Sequence, residues 1–266
     1  MNATAQTAAP THKRPEVNDI TTDDVYAALR AGWADFRAVP KFGLFFGGIY
    51  ALVGIAILLQ LWVSDQPFWI VPLALAFPLI GPFAAVGLYE VSRRREEGLD
   101  LDWSEILGAV WRQRNGQMPS MAFIVMAGFL IWVWVARLMV AIFLGRMSVA
   151  VYSDLNTLLS TGPGIALLIA GTVIGGAIAL ALFSLTVIAL PLLLDRDVDF
   201  VTAMITSVNA VISNLQPMLT WAGVVAMALF AAMVPLFLGL VIALPVLGHA
   251  TWHLYRRVVK PETAAV

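Results

Sequence analysis

Two histidines spaced four residues apart are the side chains in this sequence best suited to chemistry. His249 and His253 fall on one face of a predicted helix, and imidazoles at this spacing can bind one metal ion. Glu90 could supply a third ligand if its helix packs against theirs. The sequence has no cysteine, and the only other histidine lies in a polar tail. We therefore expect both histidines to be amphipathic residues of a membrane-interface aromatic belt, with no metal or other cofactor bound.

Other acidic residues have simpler explanations than catalysis. Asp195, Asp197 and Asp199 could hold Ca²⁺ or Mg²⁺, but their segment lacks the glycine and the closing glutamate of a calcium loop, which favours an acidic linker and helix cap. Glu90 is expected to pair with Arg93 or Arg94 rather than to relay protons. The sequence contains no nucleotide-binding, nucleophile-elbow or zinc-protease motif. These features predict that the protein is not an enzyme.

Two sets of arginines need an explanation in an apolar chain. Arg137 stands about 17 residues into an apolar run, where a charge either has a function or extends its long side chain to the interface. The tryptophans beside it favour the interface. Arg93, Arg94 and Arg95 end another run, where they could bind anionic lipid headgroups or simply set the orientation of the chain.

The composition requires a membrane. Apolar residues make up 60% of the 266 residues and charged residues 12%, whereas soluble domains contain about 45–50% and about 25%. Such a chain cannot cover itself with a water-compatible surface, which excludes a soluble enzyme and a disordered protein. The net charge of −1 gives no field that would attract nucleic acid.

The apolar runs predict six transmembrane helices. The predicted spans are Phe42–Val63, Phe68–Val91, Met121–Leu144, Gly164–Leu194, and two helices within Met218–Tyr255 joined by a tight turn near Pro235–Gly239. Fourteen of the sixteen Lys and Arg residues then fall on the side of the tails, and Arg137 and Arg146 fall on the other. The positive-inside rule therefore places both termini in the cytoplasm.

The segments between the spans predict amphipathic helices at 24–37, 103–117 and 199–215, lying on the cytoplasmic surface with their apolar faces down. Their apolar stripes are Val25, Ala28, Leu29, Trp33 and Phe36; Trp103, Ile106, Leu107, Val110 and Trp111; and Val201, Met204, Ile205, Val208, Ile212 and Leu215. Each helix begins at acidic or hydroxyl residues and is followed by a proline and a span.

This order suggests an approximate threefold internal repeat, with units at about 21–92, 99–195 and 197–257. The predicted fold class is an all-α polytopic membrane protein, with one membrane domain over 21–260 and a disordered cytoplasmic tail over 1–20. Small residues at four-residue spacing predict close helix packing, and these are Gly43, Gly47, Gly171 and Gly175.

Three segments resemble a family of bacterial integral membrane proteins that is a domain of unknown function. They are Asp24–Trp33, Gly81–Glu90 and Gly248–Arg256. Members of that family are sometimes labelled cytochrome c oxidase subunit-like. The resemblance implies a multi-pass protein of the bacterial inner membrane and carries over no active site.

Two classes of function fit these observations. The first is a non-catalytic accessory, assembly or organising factor that binds lipid or other membrane proteins, such as a respiratory complex. The scarcity of polar residues within the spans favours it. The second is a transporter or channel for a small or apolar solute, which the repeat and the proline-containing spans favour.

Overall fold

The computed structural model describes residues 15–63, 70–145 and 159–261. Within these ranges the protein is all-helical. The ten helices are α1 (Thr22–Ala38), α2 (Pro40–Val63), α3 (Ile70–Glu96), α4 (Trp103–Gln113), α5 (Met118–Leu144), α6 (Gly162–Thr186), α7 (Ala189–Asp195), α8 (Phe200–Ser213), α9 (Leu215–Met233) and α10 (Leu240–Val258). The start of the second predicted span, Phe68, and Arg146 lie outside the described residues.

Local signals explain where several helices begin and end. Asp24 accepts hydrogen bonds from the backbone N–H and the hydroxyl of Thr21 at the start of α1, and Asp199 accepts one from the Thr202 N–H at the start of α8. The α6 and α7 helices are separated just before Pro191, because a proline ring clashes with the carbonyl four residues earlier. The turn between α9 and α10 lies where it was predicted.

The long helices form antiparallel pairs. Along α2, Gly43 contacts Pro245 and Gly54 contacts Phe237, so α2 runs antiparallel to α10. The same reasoning makes α3 antiparallel to α2, because Gly87 lies against Phe46 and Gly81 lies against the Tyr50 hydroxyl. Contacts between α5 and α6 and the tight α9–α10 turn make these pairs antiparallel as well.

Four segments within the described residues are long and apolar enough to cross a membrane. They are Pro40–Gln60, Met118–Leu144, Gly162–Asp195 and Leu215–Met233. They correspond to the first, third, fourth and fifth predicted spans. The predicted second and sixth spans correspond to α3 and α10, so the count of six stays a prediction.

Helix α1 packs onto the helical bundle along its length. Val25, Ala28 and Phe36 are buried, and Gly32 lies so close to α10 that an added Cβ would stand 2.4 Å from the Ala250 nitrogen. A side chain of any size at Gly32 would push the helices apart. The predicted stripe thus faces the bundle, except for the partly exposed Trp33.

Helix α8 packs with a different face from the one its apolar stripe suggests. Its buried residues are Ala203, Thr206, Ser207, Ala210 and Val211, while the stripe residues Val201 and Ile212 are exposed. Small side chains allow the close approach to α6 and α7, and the Ser207 hydroxyl accepts a hydrogen bond from the Ile188 N–H at the α6–α7 break. The apolar stripe is left on the outside.

The two ends of the described chain lie side by side. Val17 and Val259 form an antiparallel bridge, and the Asn18 N–H donates to the Val258 carbonyl over 2.7 Å. Residues 16–18, which fall within the predicted tail 1–20, are held against the end of α10 by these backbone hydrogen bonds. Residues 1–14 lie outside the described residues.

Candidate functional site

A buried polar cluster lies where α1, α3 and α10 meet, and Asp35 of α1 is its centre. One carboxylate oxygen, Oδ2, accepts a hydrogen bond from the Ser92 hydroxyl over 2.7 Å and lies 2.8 Å from Nε2 of His253. The other, Oδ1, lies 2.6 Å from the Arg95 guanidinium. Asp35 thus joins three groups from the other two helices.

His249 enters the cluster through Ser92. Its Nδ1 lies 2.8 Å from the Ser92 hydroxyl oxygen. Since ionised Asp35 can only accept, Ser92 donates its single proton to Asp35 and accepts one from Nδ1–H of His249. The other ring nitrogen, Nε2, is buried and makes no hydrogen bond within the described residues. The two histidines therefore both converge on Asp35, one directly and one through Ser92.

The cluster favours the ionised form of Asp35. Burial opposes ionisation, but hydrogen bonds from His253 and Ser92 and the charges of the histidines outweigh it, so the pKa of Asp35 is lowered from its ordinary value of 3.8. Asp35 is 6% exposed. A carboxylate buried to this extent and held by three partners is an inter-helix tie rather than a free acid.

The presence of serine, histidine and aspartate does not make this a hydrolytic triad. In a triad the histidine stands between the nucleophile and the carboxylate, whereas here Ser92 stands between His249 and Asp35. Ser92 and His249 are also fully buried, so no substrate reaches the hydroxyl in this conformation. The geometry is suited to fixing the positions of three helices.

Glu90 lies on α3 beside this cluster but has other partners. Its carboxylate forms a two-point ion pair with Arg93, with both contacts at 2.8 Å, and lies 3.4 Å from Arg94. The expected pairing with Arg93 or Arg94 is present, but Glu90 is fully buried rather than at the surface. Because its oxygens face arginines, Glu90 does not join the histidines in a common site.

The three consecutive arginines make internal contacts. Arg93 also reaches Glu97, Arg94 reaches Glu105 of α4, and Arg95 binds Asp35. Each guanidinium therefore has a carboxylate partner in the structure. The prediction that they bind lipid headgroups is not tested by these contacts.

A second layer of polar contacts extends the junction toward α7. The Trp252 indole N–H donates to Glu96 over 3.0 Å, and Arg256 lies 3.1 Å from the same carboxylate. The Tyr255 hydroxyl donates to Asp195 over 2.5 Å. Asp195 is thus a contact of α10, and Asp199 caps α8. Within the described residues no group of three or more metal-ligating side chains is assembled.

The remaining candidate residues lie elsewhere. Gly43 and Gly47 lie where α2 crosses α10, Gly175 lies under the Trp132 ring, and Gly171 makes an ordinary contact with Met139. Arg137 is exposed on α5 and has no carboxylate partner among the described residues.

An apolar cavity of about 300 Å³ lies among α2, α3, α5, α9 and α10. Its lining is Phe46, Tyr50, Gly81, Ala84, Ala85, Leu88, Tyr89, Val125, Val225, Leu229, Leu244, Leu247, Gly248 and Thr251. None of the side chains of the polar cluster lines it. The cavity and the cluster are therefore separate features of the bundle.

The fold and these surfaces define a polytopic integral membrane protein. Residues 70–195, from the start of α3 to the end of α7, match the model of a family described as a predicted integral membrane protein (DUF2189). This match agrees with the resemblance, carried here by Gly81–Glu90, to a family of integral membrane proteins of unknown function, whereas Asp24–Trp33 and Gly248–Arg256 lie outside the matched residues. Neither the curated proteins nor the solved structures contain a match to the chain.

The central residues of the cluster were missed by sequence reasoning. Asp35 resembles an ordinary charge on an amphipathic helix, and Ser92 resembles a small residue at the end of a span. One signal was available, because Asp35 falls on the same helical face as Ala28 and the buried Phe36 rather than on the polar face.

Proposed function

We propose that the protein is a non-catalytic membrane protein, an accessory, assembly or organising factor that binds lipid or other membrane proteins. The observation that carries this proposal is the exposure of the spans. Within an apolar 18-residue stretch of α5, only 11% is buried inside the protein, and in the corresponding stretch of α9 only 22% is buried. These helices expose long apolar faces that can contact lipid or another membrane protein.

The use of the polar groups supports the same proposal. Asp35, Ser92 and His249 are buried and join α1, α3 and α10 at one end of the bundle. Glu90 is buried as well and pairs with Arg93 and Arg94 of its own helix. Coupled transporters, in contrast, usually place charged residues at mid-depth in the membrane. An exposed apolar surface with a fixed polar end is suited to docking against lipid or another membrane protein.

We further propose that the protein crosses the bacterial inner membrane six times, with both termini in the cytoplasm. The pairing of residues 16–18 with 258–260 supports an even number of spans, and the antiparallel pairs α2–α3, α5–α6 and α9–α10 fit six crossings. The order of one short helix followed by two long helices also occurs three times, which supports the repeat. Fourteen of sixteen basic residues on the side of the tails give the orientation.

Reporter fusions test this topology. Fusions after Val63 and after Leu144 should report the periplasm, and a fusion after Arg257 should report the cytoplasm. A periplasmic signal after Arg257 would contradict the six-span arrangement.

Purification in a mild detergent, followed by identification of what co-purifies, tests the function. A stoichiometric membrane-protein partner or a retained class of lipid supports the proposal. The same purification is repeated with Trp134→Ala, because Trp134 is 76% exposed on α5 and belongs to the face proposed for docking. Loss, in this variant, of a partner that the wild type retains would locate the contact on α5.

The alternative is a transporter or channel for an apolar solute, and the cavity of about 300 Å³ between the spans favours it. Its size is at the lower end of the range for small-molecule sites, about 300–1,000 Å³. A small molecule that is retained through purification, and lost when Ala85 of the cavity lining is replaced by leucine, would favour transport over docking.

A further inference from the structure

The apolar cavity among α2, α3, α5, α9 and α10 contains a tyrosine hydroxyl that the fold does not use. Tyr89 lines the cavity and is only 4% exposed, yet its hydroxyl makes no hydrogen bond with the described residues. The hydroxyl oxygen is not fully enclosed, because within the described chain the fully enclosed side-chain atoms without a partner are Trp221 Nε1 and His249 Nε2. A buried tyrosine hydroxyl usually has a hydrogen-bond partner, so this group is a donor available to a ligand.

The position of Tyr89 on α3 directs its side chain towards the cavity. Side chains on a helix lean towards the helix N-terminus, and the cavity follows α3 in that direction as far as Gly81. The distance from Gly81 to Tyr89 is roughly 12 Å at the helical rise. The Tyr89 ring also lies 6.5 Å from that of Trp252, which donates a hydrogen bond to Glu96. Tyr89 therefore marks the end of an elongated cavity, beside the polar contacts of the junction.

The groups that line the cavity are uncharged. None of its described lining residues is Asp, Glu, Lys or Arg. Thr251 lines it and donates its hydroxyl proton to the Leu247 carbonyl over 2.7 Å, so the Thr251 oxygen can still accept a hydrogen bond. Tyr50 adds a hydroxyl near Gly81, at the other end, and has further interactions of its own. A charged ligand group would be buried here without a counter-charge, which is costly.

The cavity is polar at one end and apolar towards the other. Tyr89 precedes Arg93 by four residues, and Thr251 follows His249 of the polar cluster by two, so both lie near the aqueous end of the bundle. Away from them the lining is aliphatic, with Leu244 and residues of α9. A molecule that fills the cavity therefore needs a polar group at one end and an apolar chain towards the other.

We propose that this cavity binds an uncharged single-chain amphiphile, a molecule with one hydroxyl or carbonyl oxygen at the end of an apolar chain. The Tyr89 hydroxyl donates to that oxygen, and the Thr251 oxygen accepts the proton of a ligand hydroxyl. The apolar chain lies between α3 and α10, towards Gly81 and Leu244. The inference rests on the proposed function, because it assigns a ligand class to the cavity of a protein proposed to bind lipid or an apolar solute.

Titration of the full chain with matched probes, followed by native mass spectrometry in mild detergent, tests the site. The probes are 1-decanol and decane, which have the same chain with and without a hydroxyl. Tyr89→Phe removes only the protein hydroxyl. It should weaken the binding of 1-decanol about fivefold, the effect of one hydrogen bond, and leave that of decane unchanged. Decanoate, which is ionised at neutral pH, should bind more weakly than 1-decanol.

Tyr26→Phe is the matched control, because it removes the same hydroxyl from a tyrosine that is 45% exposed on α1, and it should change neither affinity. Ala85→Leu fills the cavity and should weaken the binding of both probes. An equal effect of Tyr89→Phe on the two probes, an equal loss in Tyr26→Phe, or tight binding of decanoate would overturn the proposal.

The failure of this inference is distinguishable from that of the proposed function. Binding of both probes that is lost in Ala85→Leu but unaffected by Tyr89→Phe would overturn the ligand class and leave the cavity as an apolar site. Binding of neither probe to the wild type would overturn the inference and remove the support of the cavity for the alternative function. The co-purification of a partner protein is measured separately and tests the docking role by itself.

Discussion

The junction of α1, α3 and α10 and the pair of α5 and α6 are held together in different ways. At the junction, one carboxylate from α1 takes directional contacts from Ser92, Arg95 and His253. Between α5 and α6, glycines lie against large side chains, Gly128 against Leu182 and Gly175 against Trp132. The first interface is polar and buried, and the second is apolar and mostly open on its outer side.

The difference follows from the solvent on each side. In lipid, apolar contact between helices gains little from the hydrophobic effect, so close packing at small residues holds the pair together. At the end of the bundle that faces the aqueous phase, buried hydrogen bonds and ion pairs are directional and fix the position of α1. We infer that the junction is the rigid part of the molecule and that the α5–α6 pair is the part available to partners.

The largest effect should come from removing the centre of the junction. Asp35→Ala leaves Arg95 and His253 without their shared carboxylate, and we expect it to destabilise the protein by about 3 kcal/mol, the low end for buried ion pairs because Arg95 is partly exposed. Thermal unfolding in mild detergent measures this.

Asp23→Ala is the control, since it removes an exposed carboxylate from the same helix and should change the unfolding temperature little. An Asp35→Ala protein as stable as Asp23→Ala would show that the cluster does not hold α1.

The next largest effect should come from the crossing of α1 and α10. Gly32→Ala places a Cβ 2.4 Å from the Ala250 backbone nitrogen, which cannot move without displacing α10. We expect a loss of about 2 kcal/mol despite the better helix propensity of alanine. Limited proteolysis within α1, together with thermal unfolding, detects the loosened helix.

The comparison protein is Gly48→Ala, because a Cβ at Gly48 meets nothing within 4 Å. It should be neutral or stabilise by up to about 1 kcal/mol. If Gly32→Ala and Gly48→Ala have the same unfolding temperature, the described close approach of α1 and α10 is wrong.

A smaller effect is expected within the α5–α6 pair. A Cβ at Gly175 would stand 2.9 Å from the edge of the Trp132 ring, and a side chain can shift where a backbone cannot. Gly175→Ala should therefore cost about 1 kcal/mol or less, as measured by thermal unfolding in the same detergent.

The adjacent Gly176→Ala is the internal control, because a Cβ at Gly176 meets nothing within 4 Å. A loss at Gly175 as large as that at Gly32 would contradict the contrast between a fixed junction and an adaptable pair.

The smallest effect should be that of acid on the junction. Because the pKa of Asp35 is lowered below 3.8 in the folded protein, its contribution to stability is present above that pH and is lost as the pH falls through the lowered value. Unfolding temperatures of the wild type should therefore decline faster below pH 3.8 than those of Asp35→Asn, which has no carboxyl group at this position to titrate. Parallel curves for the two proteins would show that another group controls the acid response.

Much of the fold was predictable because it depends on local patterns. Long apolar runs produced α2, α5, α6 and α9 in the predicted places, and the acidic starts of α1 and α8 are real helix caps. His249 and His253 do lie on one face, but His249 is fully buried against Ser92 instead of standing in an interface aromatic belt as expected. What the local pattern could not supply was the identity of the carboxylate opposite them.

Asp35 illustrates the limit, since it precedes Ser92 by 57 residues and His253 by 218. The face on which α8 packs illustrates another limit, because its apolar stripe could serve either protein or lipid. Patterns along the chain tell an apolar face from a polar one, but they do not distinguish the two kinds of apolar surroundings.

The order of elements, the apolar segments and the excess of basic residues on one side follow from the residues themselves, because transfer into lipid and helix formation act on short stretches of chain. The polar junction, including the Arg95–Asp35 ion pair, follows from the packing of distant helices, whereas Arg93 and Arg94 pair with Glu90 of their own helix at the spacing that the sequence predicted. The contacts of the junction depend on which side chains meet after α1, α3 and α10 have come together, and groups separated by 57 to 218 residues leave no mark on local periodicity.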